Sequence, residues 1–569
     1  MKNLQIAEIF HDMAQILEIK GDNPFRIRAY ERAAQNIEGL SFDIAQLAAE
    51  DRLREIPGIG LDISNKIKEY LAKGKIKSFE ELKKTIPEGL LDLLNIPSIG
   101  PKTAKLLYEQ LKIKNVQGLE NAIKKNKLKG IFGIKEKTIE NIAKGIEILK
   151  KGRERMTLAR AAMVGEEFIK ALKKLPQVKK ITLAGSLRRQ KETVRDIDIL
   201  MVSSKPKKVM DAFIHLPMVK YASAEGSTKA SVRTEADVQV DCRVVEDRSF
   251  GAALLYFTGS KNFNIRLRQL AIKKGLKINE YGVFRRGKFI CGRTEEEIFK
   301  LLNMAYIYPE LREDNGEIGL ALENKLPVLV EQKDIKGDLH THSTWSDGAS
   351  TIQEMADAAR SLRYSYIAIT DHSQSLRVAN GVKVADLKKK KREIDSVNKR
   401  LKGVRVLFGT EADIDSEGKI DYSDSVLKEF DVVVAAIHTG FKQSREQLTR
   451  RLIRACSNKY VHIIAHPFGR LWGVREPYPL DFNKVLKAAR ETNTSLEINA
   501  FPQRLDINDA HSRRAKEMGV RVSIDTDSHE AGQLEAMKFG IAVARRGWLS
   551  KANVINTLDA NQLLKELKK

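Results

Sequence analysis

Hydrophobic positions along this chain change their period more than once. Over residues 4–48 they recur at helical spacing (Leu4, Ile6, Ile9, Phe10, Met13, Ile16, Leu17), with a break at 21–24 where glycine and proline fall. A helix–turn–helix pattern then repeats: LREIPGIGLDISNKIKEYL at 53–71, LLNIPSIGPKTAKLLYEQL at 93–111 and a looser LKGIFGIKEKTIENIAKGI at 128–146. From about Val178 the texture is that of strands, in KKITLAGSLRR, VRDIDILMVSS and ADVQVDCRVV. Beyond residue 335, short apolar runs alternate with helical patterns, which predicts a βα barrel. The longest obvious apolar run, around 432–437, reads as a buried strand and is far shorter than a membrane span. Glu8, His11 and Asp12 interrupt the N-terminus, so no signal peptide is expected.

Charge sharpens this division. The 569 residues carry a formal net charge of +25, and residues 1–300 hold 58 basic against 38 acidic side chains. The densest stretch, 101–200, holds 25 against 11, which favours a polyanionic partner over general solubility. Eight of the ten histidines lie after residue 338. Three scattered cysteines (Cys242, Cys291, Cys456) exclude a disulfide framework and fit a reducing interior. In the repeated motif, Gly58, Gly60 and Gly100 let the backbone approach a phosphate, with Lys102, Lys105, Lys135 and Lys137 supplying charge. Such helix-hairpin-helix units grip nucleic-acid backbones without reading sequence.

Asp196 and Asp198 share one face of a predicted strand, and Asp241 lies on another, beside Gln239 and Arg243. Three converging carboxylates are costly unless cations neutralise them, and hard oxygen ligands suit two Mg²⁺ ions. Such ions would activate a hydroxyl and stabilise a pyrophosphate leaving group. Gly185 and Ser186 end the preceding strand, well placed to hold a triphosphate, with Arg188 and Arg189 nearby.

The run GSLRRQKETVRDID resembles the nucleotidyltransferase signature, and residues 1–316 as a whole are similar to family X DNA polymerases of the DNA polymerase beta type. The resemblance implies a lyase-like helical domain with a helix-hairpin-helix (1–85), fingers (86–150), palm (151–250) and thumb (251–316). Asp196, Asp198 and Asp241 would be the catalytic carboxylates, holding Mg²⁺ or Mn²⁺. Ser186 and Arg189 would hold the triphosphate of a dNTP; Tyr256, Phe257 and Gly259 would crowd the ribose 2′ position. Asn264 would reach the minor-groove edge of the base pair, and Arg268 the template strand. Arg195 stands where the beta enzyme has glycine, and Lys261 where it has an aspartate beside the base, both adding positive charge near the nucleotide. Lys66 falls at the Schiff-base position of a deoxyribose-phosphate lyase, with Arg26 for a 5′-phosphate-binding lysine and Asp62 replacing another basic residue.

After a connector at 317–334, DLHTHSTWSDGAS opens a second pattern. His340, His342, Asp347, His372, Glu411, His438, His466, Asp527 and His529 all fall at or just beyond the C-terminal ends of predicted strands. Barrel active sites gather there, and this imidazole–carboxylate mixture suits Zn²⁺, Mn²⁺ or Fe²⁺ in a multinuclear site. Residues 335–569 resemble the polymerase and histidinol phosphatase (PHP) domain, whose trinuclear ligand set has all nine positions filled. By that resemblance one metal takes His340, His342, Glu411 and Asp527; Glu411 bridges to a second at His438 and His466; Asp347, His372 and His529 hold the third. Asp371 and Asp525 would orient imidazoles, while His462 and His511 fit no ligand position. Arg470 and Arg504 would hold a scissile phosphate, or Arg504 would simply pair with Asp506.

The resulting expectation is a multidomain protein: α-helical N-terminal domains, an α/β palm and thumb, and a distorted βα barrel. It would be a monomeric, cytoplasmic, nucleoid-associated polymerase filling gapped or nicked double-stranded DNA. The barrel would act as a 3′–5′ exonuclease, 3′-end-processing or abasic-site phosphodiesterase. Two other readings remain: a PHP phosphatase of small metabolites with a DNA-binding appendage, and a non-catalytic DNA-binding scaffold.

Overall fold

The computed structural model describes every residue except 1, 39–43, 50, 57, 88, 97–98, 130, 132–133, 135, 137, 141, 144–145, 147–154, 236, 473–474, 476 and 569. Lys135 and Lys137 lie outside the described residues. The N-terminal helices Lys2–Lys20 and Pro24–Glu38 pack through Phe10 and Tyr30, whose rings lie 5.8 Å apart. Their core includes Ile63, Ile67 and Phe79, whereas Leu93, Leu107 and Leu119 build a second one with Ile142. The hairpin motifs depart from the expected helix–turn–helix, since their leading limbs are only the short 3₁₀ turns Leu53–Glu55 and Leu91–Asn95. Ile56 and Ile96 each precede a proline and are extended, with ψ of 123° at both. The proline ring excludes the α-conformation from the residue before it, which cuts those limbs short.

The middle of the chain holds a five-stranded sheet in the order Val178–Leu183, Asp196–Ser203, Gln239–Val245, Lys229–Thr234, Val219–Ala224. Its second and third strands run parallel, and the rest of the pairings are antiparallel. Helices Phe250–Thr258 and Lys261–Lys273 follow, with a small three-stranded sheet and helix Glu295–Leu301.

The C-terminal sheet has seven parallel strands in sequential order: Gly337–Thr341, Tyr366–Ile369, Arg405–Asp413, Val432–Ala436, Ile463–Ile464, Ser495–Asn499 and Val522–Asp525. A bridge between Thr341 and Ser528 brings its edges together, so the barrel is nearly closed. Helices cover its outside, and the strands are buried on both faces, as parallel sheets require. The 317–334 segment is packed rather than loose. Leu329 and Val330 are buried, Val330 N–H donates to the Leu549 carbonyl at 3.0 Å, and Trp548 joins the apolar core built by Phe263 and Phe299. Among the described residues no helix is long and apolar enough to cross a membrane.

Candidate active sites

Strand pairing assembles the first site. Asp198 lies in register with Asp241, and Asp196 with Gln239, so the three carboxylates share one patch of the sheet. Burial pushes the Asp198 carboxyl up to about 7, reinforced by the neighbouring Asp196 and Asp241. Asp196 is raised for the same reasons, burial first and then Asp241. Ser231 Oγ and Gln239 Nε2 hold Asp241, the latter at 3.0 Å. A half-buried cluster of hard oxygen donors, with Asp196 and Asp198 held back from ionising, fits Mg²⁺ or Mn²⁺, which would remove the repulsion. Gly185 has φ of +63°, and a Cβ there would lie 2.1 Å from Asp198 Oδ2. Only glycine lets the Gly185–Ser186 turn approach the carboxylates this closely.

The two arginines beyond that turn part company. Arg188, expected near the triphosphate, instead forms a double hydrogen bond to Glu295, both at 2.8 Å, and Glu295 also holds the fully buried Arg312. Arg188 is thus a structural tie between sheet and thumb. Arg189 donates from Nε to Glu313 at 3.0 Å and from Nη1 to the Thr258 carbonyl. It thereby abuts the Thr258–Gly259 turn; a Cβ on Gly259 (φ +68°) would sit 3.2 Å from Arg189 Nη1. Tyr256 and Phe257 lie edge to face at 5.1 Å, with Arg243 over Phe257 and Arg268 over Tyr256. Asn264 Nδ2 donates to the Tyr256 carbonyl at 2.7 Å, and Arg268 Nε donates to the Asn264 carbonyl at 3.2 Å. Lys261 opens the following helix and Arg195 is exposed.

In the helical region, Gly58 has φ of +82°, while Gly60 and Gly100 cap helices Leu61–Lys73 and Pro101–Leu111. A Cβ on Gly60 or Gly100 would meet nothing within 4 Å, so both caps are open to a phosphate backbone. Lys102 is exposed, and Lys105 pairs with Glu109 at 3.9 Å. Lys66 is ion-paired with Asp62, and a Schiff base at Lys66 would require that pair to open. Arg26 pairs with Asp22 at 3.2 Å.

In the barrel, strand ends bring together side chains up to 189 positions apart, from His340 to His529. Glu411 stands at the centre. Its Oε2 lies 3.3 Å from His340 Nε2 and 3.6 Å from His342 Nε2; its Oε1 lies 3.2 Å from both His438 and His466. Asp527 Oδ1 is 3.2 Å from His342, and Asp347 Oδ2 is 3.6 and 3.5 Å from His372 and His529. Three groups have ligand atoms within 4.8 Å of one another: His342–Asp347–His372–His529, His340–His342–Asp527 and His372–Glu411–His438. Buried polar atoms without hydrogen-bond partners include His340 Nε2, both ring nitrogens of His342, His372 Nδ1 and Glu411 Oε2. Orphaned donors and acceptors of this kind, converging at one place, fit a site built for metal ions. Burial, aided by Arg504, pushes His466 down to about 3; burial and His372 push His342 down to about 4. Neutral imidazole is the ligating form. Burial opposes a proton on His372, but Glu411 and Asp347 outweigh it and raise the ring to about 10.

The imidazoles are oriented by residues that sequence reasoning missed. Glu497 Oε1 meets His340 Nδ1 at 2.6 Å, and Glu497 Oε2 accepts from the His466 backbone at 2.7 Å. Asp413 Oδ1 meets His438 Nδ1 at 3.0 Å. Asp413 follows Glu411 by two positions on one strand, a spacing that marks it in retrospect; Glu497 carries no comparable signal. Asp371 and Asp525, expected in this role, hydrogen-bond no imidazole. Asp371 binds Ser343, Ser346 and Lys390, anchoring the loop toward Asp347; Asp525 binds the Leu339 amide and Asn556. Arg504 pairs with Asp527 at 3.1 Å rather than Asp506, so it does face the site. Arg470 does not: it pairs with Glu192 of the central region at 2.9 Å and donates to the Arg504 carbonyl. His511 stacks on Phe468 at 4.2 Å, and His462 accepts from the Val433 amide, both away from the ligand groups.

Family models match in the same segments. They describe a helix-hairpin-helix domain at 1–76, a SAM-like helix-hairpin-helix tandem at 90–147, a DNA polymerase beta thumb at 253–313 and a PHP domain at 338–500. The barrel continues past that last match to the strand preceding Asp527 and His529. A probable phosphatase of Thermoanaerobacter sp. is 31% identical over 242 residues, covering 41% of this chain and 94% of its own length. DNA polymerase lambda of Rattus norvegicus is 27% identical over 345 residues, covering 55% of this chain and 56% of its own. The DNA polymerase/3′-5′ exonuclease PolX of Bacillus subtilis is 40% identical over 560 residues, 98% of this chain and 97% of that one. A match of that depth across helices, polymerase core and barrel alike means that the chain belongs to the PolX family of DNA polymerases.

Proposed function

We propose that this protein is a DNA polymerase that fills short gaps during repair and trims 3′ ends with its barrel, as a cytoplasmic, nucleoid-associated monomer. The observation that supports the reading is two separate clusters of candidate ligands in one chain: Asp196, Asp198 and Asp241 on paired strands, and eight grouped residues at the barrel mouth, with His466 3.2 Å from Glu411. Bound at the first set, Mg²⁺ or Mn²⁺ would supply activation of a 3′-hydroxyl and charge neutralisation of pyrophosphate. Ser186 and Arg189 orient the triphosphate; Tyr256, Phe257 and Gly259 exclude a ribose 2′-hydroxyl, Asn264 reads the minor-groove edge, and Lys261 adds charge beside the nucleotide. Arg268 contacts the template, and the open caps at Gly60 and Gly100 hold the duplex by its phosphates, with Gly58, Lys102 and Lys105. Bound at the second set, Zn²⁺, Mn²⁺ or Fe²⁺ would supply an activated water for phosphodiester hydrolysis. Arg504, held to Asp527, would meet the scissile phosphate. A metabolite phosphatase with a DNA-binding appendage would leave the carboxylate patch without a purpose. The test is dNTP incorporation on gapped DNA beside release of label from a 3′-labelled strand, with each metal tried separately. Incorporation without label release would remove the barrel from the proposal, and label release without incorporation would remove the polymerase.

A further inference from the structure

One side chain of the barrel, that of Arg546, reaches the backbone of Arg189. Arg546, from the barrel helix Met537–Arg546, is only 4% exposed and contacts three elements at once. Its Nη1 donates to the Arg189 carbonyl at 2.8 Å and to Glu313 Oε1 at 3.0 Å, while Nε donates to Asp509 at 2.8 Å. The same Glu313 oxygen accepts Arg189 Nε, at 3.0 Å, and Lys191 lies 3.6 Å away. Arg546 therefore grips Arg189 at both ends, by its backbone carbonyl and by the carboxylate that fixes its guanidinium. With Nε held by Glu313 and Nη1 by the Thr258 carbonyl, the plane of that guanidinium is set.

We infer that Arg546 is a positioning residue for the polymerase reaction, contributed by the PHP domain, which presets Arg189 for the triphosphate of the incoming nucleotide. The inference rests on the assignment of Arg189 to the triphosphate. Without Arg546, the Arg189 carbonyl loses this donor and Glu313 is left to Arg189 and Lys191 alone. The guanidinium is then pulled by an undercompensated carboxylate and no longer held in one plane. Charge-assisted hydrogen bonds confer such geometric control, and nucleotide binding is what should suffer. Arg546 touches none of the candidate barrel ligands, so exonuclease activity should be spared.

The experiment measures KM and kcat for a dNTP on gapped DNA with the full-length protein and its variants Arg546→Ala, Arg546→Lys, Arg189→Ala and the Arg189→Ala/Arg546→Ala pair. Thermal melting and 3′-exonuclease rates serve as controls for folding. Arg546→Ala is expected to raise KM about three- to tenfold with kcat changed less than about twofold. Arg546→Lys should fall between it and wild type, and the double variant should be no worse than Arg189→Ala alone. If Arg546→Ala does not fold, Arg546→Lys and Asp509→Asn carry the same test, each with a smaller rise in KM. A wild-type KM in the folded Arg546 variants, beside a raised KM in Arg189→Ala, overturns the inference. So does a double variant whose effect is the product of the two singles. An unchanged KM in Arg189→Ala instead overturns the assignment of Arg189, and the inference with it.

Discussion

The carboxylate patch of the central sheet and the histidine-rich mouth of the barrel gather candidate ligands for divalent cations in opposite ways. The patch draws on two adjacent strands in parallel register, and its carboxylates stay half-buried. The mouth draws on six of the seven strand ends, and its inner candidate ligands are sealed, with His340 and His342 fully buried and Glu411 1% exposed. A patch of like charges cannot be buried outright before cations and substrate arrive, because each ionised carboxylate raises the cost of the next. Imidazoles interleaved with carboxylates neutralise one another and tolerate burial. The first cluster therefore stays partly exposed, whereas the second is enclosed by the protein's own side chains.

That contrast can be broken most directly by removing each ligand set in turn. Asp196→Ala with Asp198→Ala should lower nucleotide addition by about 10⁴-fold while leaving 3′-end hydrolysis at the wild-type rate. Retained addition in the double variant would sink the carboxylate assignment. His340→Ala with His342→Ala should lower hydrolysis by about 10³-fold with gap filling intact. Equal cleavage by the variant and wild type, on a 3′-labelled gapped strand, would place the nuclease elsewhere.

Two single substitutions sharpen the comparison. Gly185→Ala should displace the Asp198 carboxylate, whose Oδ2 would lie 2.1 Å from the new Cβ, and cost about 100-fold in nucleotide addition. A variant with normal incorporation would show that the turn can yield. Glu497→Gln removes a carboxylate from His340 Nδ1 at 2.6 Å and should weaken barrel metal binding by roughly 10- to 100-fold, read by metal titration of the folded protein. Behind the three aspartates it is the neutral side chains of Ser231 and Gln239 that hold Asp241. Unaltered metal affinity would make the Glu497 contact one of packing only.

Much of both sites is legible in the sequence, for reasons that differ. Asp196 and Asp198 are visible because a strand repeats every two residues, so spacing alone puts them on one face. The barrel histidines are visible because each closes a short apolar run, and parallel βα architecture sends the ends of such runs to one rim. The open caps at Gly60 and Gly100 follow from local turn chemistry. The truncation of the hairpins' leading limbs follows from the prolines after Ile56 and Ile96, which apolar periodicity alone does not register.

Tertiary structure alone decided what the long charged side chains do. Arg188 and Arg189 are neighbours in a motif, yet one is bound to Glu295 and the other to Glu313, more than a hundred residues away. Arg470 looks like a phosphate ligand by position but pairs with Glu192 across the interface, while Arg504 turns to Asp527 rather than to nearby Asp506. Glu497 rather than Asp525 orients His340, although Asp525 lies on the adjacent strand, since the Asp525 carboxylate is bound to the Leu339 amide and Asn556. Period and composition determine which face or strand end a residue occupies, since backbone geometry repeats locally. A flexible arginine or glutamate finds its partner only after elements distant in sequence have packed and excluded water, and no local pattern encodes that choice.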